Sequence, residues 1–496
     1  MEKSIIIIGA GIAGLSTGCY AQMNDYSTHI FEMHDKPGGL CTAWKRNGYI
    51  IDGCIHHLGG ASSNSRFYRV WEELGAVQNR PMVFNDLLVT VRGPDGETFD
   101  VFTNIDRLEQ HMKELSPADA KVIEEYVNSA RVFTRLDLSA LPLMKPEEMT
   151  ELQPFFRELA KWGGITMEEY GARFTDSFLR RAFPVIQYGS PGLPVVINMI
   201  FLASCHNRTF GWPRGGSLEF SQAIERRYLD LGGEMHYRSQ VVKIPVENKR
   251  AVGVRLADGT EHRADLVISA ADGHSTIFQM LDGKYINDAI SAYYARPPSF
   301  QKVNKMDLQV SFGVVKDISK EPPAMACLLE KPISIAGRDV DTLEVEIFGY
   351  DPSLAPAGKG VVKVVIDTSY AYWKNLAADR KRYEAEKDNV ASTIIDQLEK
   401  FLPGLKKQVE ITDVATPLTV ERYTGNWQGL QAWPPKGELE MTSAGFIRDL
   451  PGLENFYMAG QWADGISSLV SAAVSGRKLI QFLCERDGKQ FVTTIP

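Results

Sequence analysis

The sequence lacks the features that mark several large classes of protein. Its 496 residues include only six cysteines and no C-x-x-C pair, so we predict neither a disulfide framework nor a zinc site, and no metal is expected. No apolar run reaches the roughly 18–20 residues that a membrane-spanning helix needs. Acidic residues outnumber basic ones by 62 to 54, which provides no basic footprint for nucleic acid. We therefore expect an intracellular globular protein.

A glycine-rich turn follows the first apolar segment. Residues 5–8 lead into Gly9, Gly11 and Gly14, and a helical stretch and a second strand then lead to Glu32. In this pattern the first glycine permits a tight turn, the second lets a pyrophosphate approach the backbone, and the third lets the helix pack on the strand. Glu32 lies 18 residues beyond Gly14, where an acid accepts hydrogen bonds from an adenosine ribose. The pattern predicts a dinucleotide site; the alternative is a glycine-rich turn that binds nothing.

Two adjacent glycines extend this pattern. Gly38 and Gly39 follow Glu32 and precede Leu40. The array resembles the glutathione-reductase-type FAD fold, in the phytoene desaturase, carotenoid isomerase and retinol saturase-like branch of the FAD-dependent amine oxidase superfamily. Many members of that branch have arginine where this chain has Leu40. The resemblance implies FAD as the cofactor and an α/β fold, in which a Rossmann-like FAD-binding domain is joined by an α+β substrate domain and a helical insert.

Two later blocks carry the same resemblance. Val241 lies in a helix-and-strand block, at the position where a valine backbone of the family meets adenine. Gly460 and Asp464 stand in the closing motif of the family, followed by Ser467 and Ser468 where the desaturases usually have a glycine run. These two serines either contact the flavin or cap a helix. The cofactor-binding residues implied by the resemblance are Gly9, Gly11, Ile12, Ala13, Gly14, Glu32, Met33, Gly38, Gly39, Leu40, Val241, Gly460, Asp464, Ser467 and Ser468.

The resemblance also implies a domain organisation. The FAD-binding domain is expected to be discontinuous, in the three pieces 1–80, 206–285 and 440–496. The substrate domain, with a mixed sheet, is expected from residues 81–105 and 286–439, and a helical insert or lid from 106–205. Within these regions the patterns predict strands at 308–315, 342–350 and 361–369, and one charged, solvated helix at 374–401. There is no second G-x-G-x-x-G flanked by a strand and a helix, so the electron partner is expected to be external and stays unidentified.

The candidate catalytic residues lie in two segments. Residues 49–60 resemble the stretch near the flavin in retinol saturase and carotenoid isomerase-type proteins. Within it, His56 or His57 is a candidate proton donor because histidine titrates near neutrality; the alternative is a buried histidine beneath the cofactor. Tyr423 and Trp427 either wall a flat or rod-shaped substrate or belong to the core.

Three functions stay open at this point. The first is a FAD-dependent oxidoreductase acting on C=C or CH–CH bonds of a hydrophobic isoprenoid or polyene-like substrate, as saturase, desaturase or isomerase, with hydride exchanged at the flavin. The second is an amine or amino-acid oxidase acting on C–N bonds. The third is a non-enzymatic prenyl-binding escort-type protein, against which Glu32 and the intact glycines argue. We expect a cytoplasmic protein. The apolar run at 193–205 is either a core helix or an interfacial one, and its short length favours the core; any membrane contact is expected to be peripheral and made through this segment.

Overall fold

The computed structural model describes residues 3–187, 189–295, 306–431, 448–464 and 467–496. Its strands are β1 Lys3–Ile8, β2 Tyr26–Phe31, β3 Ala43–Arg46, β4 Tyr49–Asp52, β5 Leu58–Gly59, β6 Met82–Val83, β7 Leu87–Arg92, β8 Thr98–Phe102, β9 Phe210–Pro213, β10 Glu234–His236, β11 Val241–Lys243, β12 Val246–Glu247, β13 Arg250–Ala251, β14 Gly253–Leu256, β15 Glu261–Arg263, β16 Leu266–Ser269, β17 Met306–Val314, β18 Ala324–Ile335, β19 Arg338–Ile347, β20 Gly360–Thr368, β21 Val409–Ala415 and β22 Phe456–Met458.

The α-helices lie mainly between these strands. They are α1 Ile12–Gln22, α2 Tyr68–Glu73, α3 Ile105–Leu115, α4 Ala120–Phe133, α5 Gln153–Trp162, α6 Met167–Gly171, α7 Ser177–Ala182, α8 Val195–His206, α9 Gly216–Asp230, α10 Asp288–Tyr294, α11 Tyr370–Leu376, α12 Arg380–Phe401, α13 Pro417–Thr424, α14 Gln461–Asp464 and α15 Leu469–Arg486.

A five-stranded parallel sheet holds the glycine-rich turn. Its strand order is β10-β2-β1-β16-β22, and its strands come from three separate parts of the chain. The isoleucines of β1 are almost fully buried because both faces of the sheet are covered. Ile5 and Ile7 pack with α1, α9 and α15, while Ile6 and Ile8 pack with the small sheet β11-β14-β15. The division into domains remains a prediction.

A seven-stranded mixed sheet forms the second large layer. Its order is β21-β17-β20-β19-β18-β7-β8, and only the β18–β7 pair is parallel among its described pairs. Three strands predicted from sequence lie here as β17, β19 and β20. β18 lies between the first two of these strands, in the stretch 293–372 whose pattern is typical of strands throughout, and its register with β19 shifts between Leu328 and Ile333.

The helix predicted at 374–401 is two helices. The first ends at Leu376, with Ala377 as its C-cap, and Asp379 starts the second, since its side chain accepts hydrogen bonds from the backbone N–H groups of Lys381 and Arg382. The expectation of a solvated outer face holds for only part of α12. Val390, Ile394 and Leu398 of this helix are buried against the seven-stranded sheet.

The apolar segment at 193–205 forms a core helix. Ten residues of α8, including Val195, Met199 and Leu202, are buried in the helical region. The prediction of a core helix is therefore confirmed, and the alternative, a surface for membrane contact, is wrong because the apolar side chains are covered by protein. Within the described residues, no helix combines the length and apolar character required to cross a bilayer.

Candidate functional site

The glycine-rich turn joins the end of β1 to the start of α1. Gly9 adopts a φ of +95°, a conformation that favours glycine, and its N–H donates to the carbonyl of Phe31 at 2.8 Å. Gly11 is the N-cap of α1, so Ile12 and Ala13 form the first turn, with no side chain capping it. The unpaired N–H groups and the positive end of the helix dipole are suited to a phosphate.

Glycine is present at positions 11 and 14 for different reasons. A Cβ at Gly14 would lie 1.9 Å from the carbonyl oxygen of Gly9, so glycine is needed there for packing. A Cβ at Gly11 would meet only the carbonyl oxygen of Gly38, at 3.9 Å, and the φ of Gly11 is an ordinary −67°. The protein itself therefore does not require glycine at position 11. The open space over this backbone fits a ligand that approaches closely, as the pyrophosphate of FAD would.

The second glycine pair lies against this turn. Gly38 donates its N–H to the carbonyl of Ala10 at 2.8 Å. Gly39 lies beside Gly11, since a Cβ added to Gly39 would be 3.4 Å from the Cα of Gly11. At the end of β22, a Cβ at Gly460 would lie 3.1 Å from the Cβ of Ala13. The fold thus brings together the glycines that the sequence places hundreds of residues apart.

Glu32 follows β2 and supports the turn directly. Its carboxylate accepts hydrogen bonds from the backbone N–H groups of Ala10 and His34, each at 2.8 Å. Burial raises the pKa of Glu32, and the backbone donors act in the opposite direction. Glu32 also borders a cavity of about 740 Å³, together with Gly39 and Leu40. It is placed to accept from a ribose while it fixes the turn.

The remaining predicted cofactor residues have varied surroundings. Val241 is 4% exposed and packs in the core beneath β1 and β2. The side chain of Met33 packs beside Gly425, since a Cβ added to Gly425 would lie 3.3 Å from the sulfur of Met33. Ser467 contacts Gln461, and Ser468 is the N-cap of α15, accepting from Ser471 N–H at 2.9 Å. The side chain of Asp464 lies outside the described residues.

The two aromatic residues predicted either to wall a substrate or to belong to the core have different surroundings. Tyr423 borders the cavity that contains Glu32 and packs edge-to-face on His34, with ring centroids 5.1 Å apart. Trp427 stacks on His274, with ring centroids 4.3 Å apart. Neither aromatic is among the described residues that line the cavity around His56 and His57.

The cavity around the two histidines has a volume of about 880 Å³. The seven-stranded sheet contributes Val345 and Ile366 to its wall, and the helical region contributes Phe201. Asp307 borders both this cavity and the one that contains Glu32. A volume of this size suits a ligand of several tens of atoms.

The two histidines differ in environment. The ring of His57 packs edge-to-face on Phe201, with centroids 5.0 Å apart. Burial and the neighbouring His56 lower the pKa of His57 to about 4, against the influence of Glu346. Nδ1 of His56 instead contacts a carboxylate oxygen of Glu346. His57 is therefore neutral at pH 7, whereas His56 has a partner with which it can share a proton.

A buried chain of charges extends from His56 into the protein. Glu346 pairs with the ammonium of Lys363 at 2.5 Å, and Lys363 donates to the backbone carbonyl of Asp52 at 3.2 Å. The Asp52 carboxylate accepts from Ser217 twice, from N–H at 2.6 Å and from Oγ–H at 2.7 Å. Ser217 Oγ in turn accepts from the N–H of Ile55, next to His56. The chain therefore fixes the segment that carries both histidines.

The charges of this chain depend on one another. Burial opposes ionisation of Glu346, but the positive charges of His56 and Lys363 outweigh it and lower the pKa of Glu346. Burial likewise opposes protonation of Lys363, yet Glu346 and Asp52 raise its pKa. Burial raises the pKa of Asp52 despite its donors. Lys363 and Glu346 therefore stay charged as a pair.

Sequence reasoning missed four of these residues: Asp52, Ser217, Glu346 and Lys363. One of them carried a detectable signal, because Lys363 interrupts the otherwise apolar run at 361–366 of a strand. A lysine in the middle of a buried strand needs a buried partner. The identity of that partner depends on the pairing of β19 with β20, which the sequence alone does not give.

Comparisons with known proteins agree with this geometry. Residues 7–74 match the family model of the NAD(P)-binding Rossmann-like domain. The chain is 25% identical to prolycopene isomerase, chloroplastic, of Arabidopsis thaliana, over 95% of this chain and 81% of that protein. It is 24% identical to a lycopene-forming phytoene desaturase of Pseudescherichia vulneris, over 84% of this chain and 85% of that protein. It is 23% identical to all-trans-retinol 13,14-reductase of Danio rerio, over 93% and 82%.

Solved structures share the fold at lower identity. An oxidoreductase from Methanosarcina mazei superposes with a TM-score of 0.59 at 17% identity, covering 96% of this chain and all of the other. A redesigned putrescine oxidase reaches a TM-score of 0.61 at 13% identity, covering 98% and 99%. The predicted α/β fold class is confirmed, and the Rossmann-like family match at residues 7–74 agrees with a dinucleotide site there. The motifs and the comparisons indicate the same relatives, because the chain is similar to a prolycopene isomerase, a phytoene desaturase and a retinol reductase at 23–25% identity.

Proposed function

We propose that the protein is a FAD-dependent oxidoreductase that acts on C=C or CH–CH bonds of a hydrophobic isoprenoid or polyene-like substrate. One observation carries this proposal: the similarity spans 95%, 84% and 93% of the chain for relatives named as a prolycopene isomerase, a phytoene desaturase and a retinol reductase. Their names share a polyene substrate and differ in the reaction. The proposal therefore names the substrate class and leaves saturation, desaturation and isomerisation as outcomes of product analysis.

The dinucleotide cradle gives each cofactor residue a role. Gly11 and the first turn of α1 would hold the pyrophosphate, and Glu32 would accept hydrogen bonds from the adenosine ribose. Gly39 and Leu40 would supply the backbone that lies next to the cofactor. Bound FAD supplies hydride acceptance or donation. The cavity of about 880 Å³ beside His56 is the candidate substrate site.

The protein must also manage a proton near the substrate. His56 is the better candidate of the two histidines, because the low pKa of His57 leaves it without a proton to donate at pH 7. Glu346 positions the imidazole of His56, and Lys363 holds the charge on Glu346. In this arrangement His56 is the acid and Glu346 is the carboxylate that orients it.

Flavin content and product identity test the proposal together. We expect the purified protein to show a flavin absorption spectrum and to convert at least one member of a panel of polyenes and retinoids, under oxidising or reducing conditions. Samples without protein and samples of the Gly11→Val variant serve as controls. A colourless protein that FAD cannot reconstitute would favour the escort-type alternative and would refute the enzyme.

An amine oxidase is the second candidate function, favoured by the charge of the histidine cavity. Seven acidic residues and three arginines are among its described lining residues, which suits a cationic amine. Anaerobic bleaching of the bound flavin by amines, with no conversion of any polyene, would select this alternative.

The two histidines predict different kinetic effects. We expect His56→Gln to retain FAD and to lower kcat by roughly 100-fold or more, the usual contribution of a positioned general acid. We expect His57→Gln to change kcat much less, because the neutral His57 ring mainly packs on Phe201. Turnover between pH 5.5 and 8 measures both variants. Equal losses in the two, or none in either, would remove His56 as the proton donor.

A further inference from the structure

Two histidines and a glutamate converge at one edge of the parallel sheet, away from both cavities. Nδ1 of His29, on β2, lies 3.1 Å from Nε2 of His236, on the edge strand β10. A carboxylate oxygen of Glu234 lies 3.4 Å from the first nitrogen and 4.0 Å from the second. Within the described part of the chain, this is the one group of three such ligands that the geometry brings together.

The backbone fixes this convergence. In the parallel pairing of β10 with β2, Glu234 is opposite His29 and His236 is opposite Phe31. Side chains two residues apart on a strand share a face, so both β10 ligands lie on the side of the sheet that His29 occupies. The ring of His236 is held further by stacking on Phe31, with centroids 4.6 Å apart and planes 14° apart.

The spacing matches that of a tetrahedral metal centre. With metal–nitrogen bonds of about 2.0–2.1 Å, neighbouring ligand atoms in a tetrahedron are about 3.3 Å apart. Two of the three distances here lie near that value. The two imidazole rings, with centroids 5.4 Å apart and planes 21° apart, rotate to direct both nitrogens at one ion, and Glu234 has the freedom to close the third distance because its side chain is 64% exposed. Imidazole and carboxylate ligands together suit zinc and neighbouring divalent transition metals.

We propose that His29, Glu234 and His236 form a binding site for a divalent transition metal of the zinc type, with solvent completing the fourth position. The site goes beyond the proposed function and differs from the sequence-based expectation of no metal. His29 is more than 200 residues from the other two ligands, so no spacing pattern in the sequence marks the three together. Bound metal would tie β10 to β2 immediately before Glu32, whose N–H donates to the carbonyl of His236 at 2.8 Å.

Zinc titration of the full chain tests the site. The protein is freed of its purification tag, treated with a chelator, and titrated with Zn²⁺ alone in a calorimeter. We expect the wild type to bind one equivalent of Zn²⁺ per chain. We expect His29→Gln to bind no Zn²⁺ with the affinity measured for the wild type. We expect Glu234→Gln to raise the Kd by about tenfold or more, since even lost outer-shell partners typically cost 10- to 100-fold. Glu234 is exposed, so this variant is expected to fold normally.

A remote histidine supplies the matched control. His111→Gln also removes one imidazole, but His111 packs on Phe99 and accepts from Asp100 N–H, far along the chain from the cluster. This control should retain one equivalent, and Co²⁺ should give intense tetrahedral absorption in the wild type and the control only. Binding that is equal in wild type and His29→Gln, or absent in the wild type, would overturn the site and leave a hydrogen bond between the two imidazoles. Neither result bears on FAD content.

Discussion

The variant Gly11→Val is expected to fold but to purify without its flavin. The backbone at position 11 has an ordinary φ, and the space over it is open apart from one carbonyl oxygen 3.9 Å from the Cβ position. The protein can therefore accept a side chain that the pyrophosphate cannot. Losing two charge-assisted hydrogen bonds of about 1.5–3 kcal/mol each lowers FAD affinity at least about a hundredfold. Flavin absorbance per chain measures the loss.

Gly14→Ala is the matched control for this variant. Its Cβ would lie 1.9 Å from the carbonyl oxygen of Gly9, so the helix must shift away from the strand. Gly14→Ala should therefore lower the Tm of the FAD-free protein, whereas Gly11→Val should leave that Tm close to the wild-type value. Normal flavin retention in Gly11→Val would refute the pyrophosphate assignment. A large drop in its FAD-free Tm would mean that the position is needed for packing instead.

The contrast between these glycines shows how much of the cofactor site was predictable from the sequence. The turn is local: the strand, the glycines and Glu32 lie within about thirty residues, so their spacing alone predicts their chemistry. The motif also separates the two roles, since it assigns pyrophosphate approach to Gly11 and helix packing to Gly14. The positions of Gly9 and Gly38 around them agree with this division and add the distances on which it depends.

The candidate catalytic site was predictable to a much smaller extent. The segment that carries His56 and His57 was found by its resemblance, but their difference depends on Glu346, which is 290 residues away from His56. The roles of Tyr423 and Trp427 stay predictions. Tyr423 borders the cavity that contains Glu32 and Trp427 stacks on His274, and both contacts depend on the tertiary fold, which the sequence does not give.

The buried charge chain leads to the largest expected effect on stability. Lys363→Met removes a cation whose side chain is 1% exposed and leaves Glu346 and Asp52 without their shared counter-charge. Removing one partner of a buried pair typically costs about 3–5 kcal/mol, because the remaining charge stays desolvated. We expect the free energy of unfolding in urea to fall by that amount. Lys359→Met, which breaks the more exposed pair with Glu410, should have a much smaller effect.

The double variant distinguishes a charge effect from a packing effect. Adding Glu346→Gln to Lys363→Met removes the uncompensated carboxylate, so the double variant should be more stable than Lys363→Met alone. A loss that is simply additive would show that Lys363 acts through its volume and not through its charge. Turnover gives a second measure: because Glu346 also positions His56, the double variant should regain stability without regaining kcat. Recovery of both together would mean that the charge chain supports the fold alone.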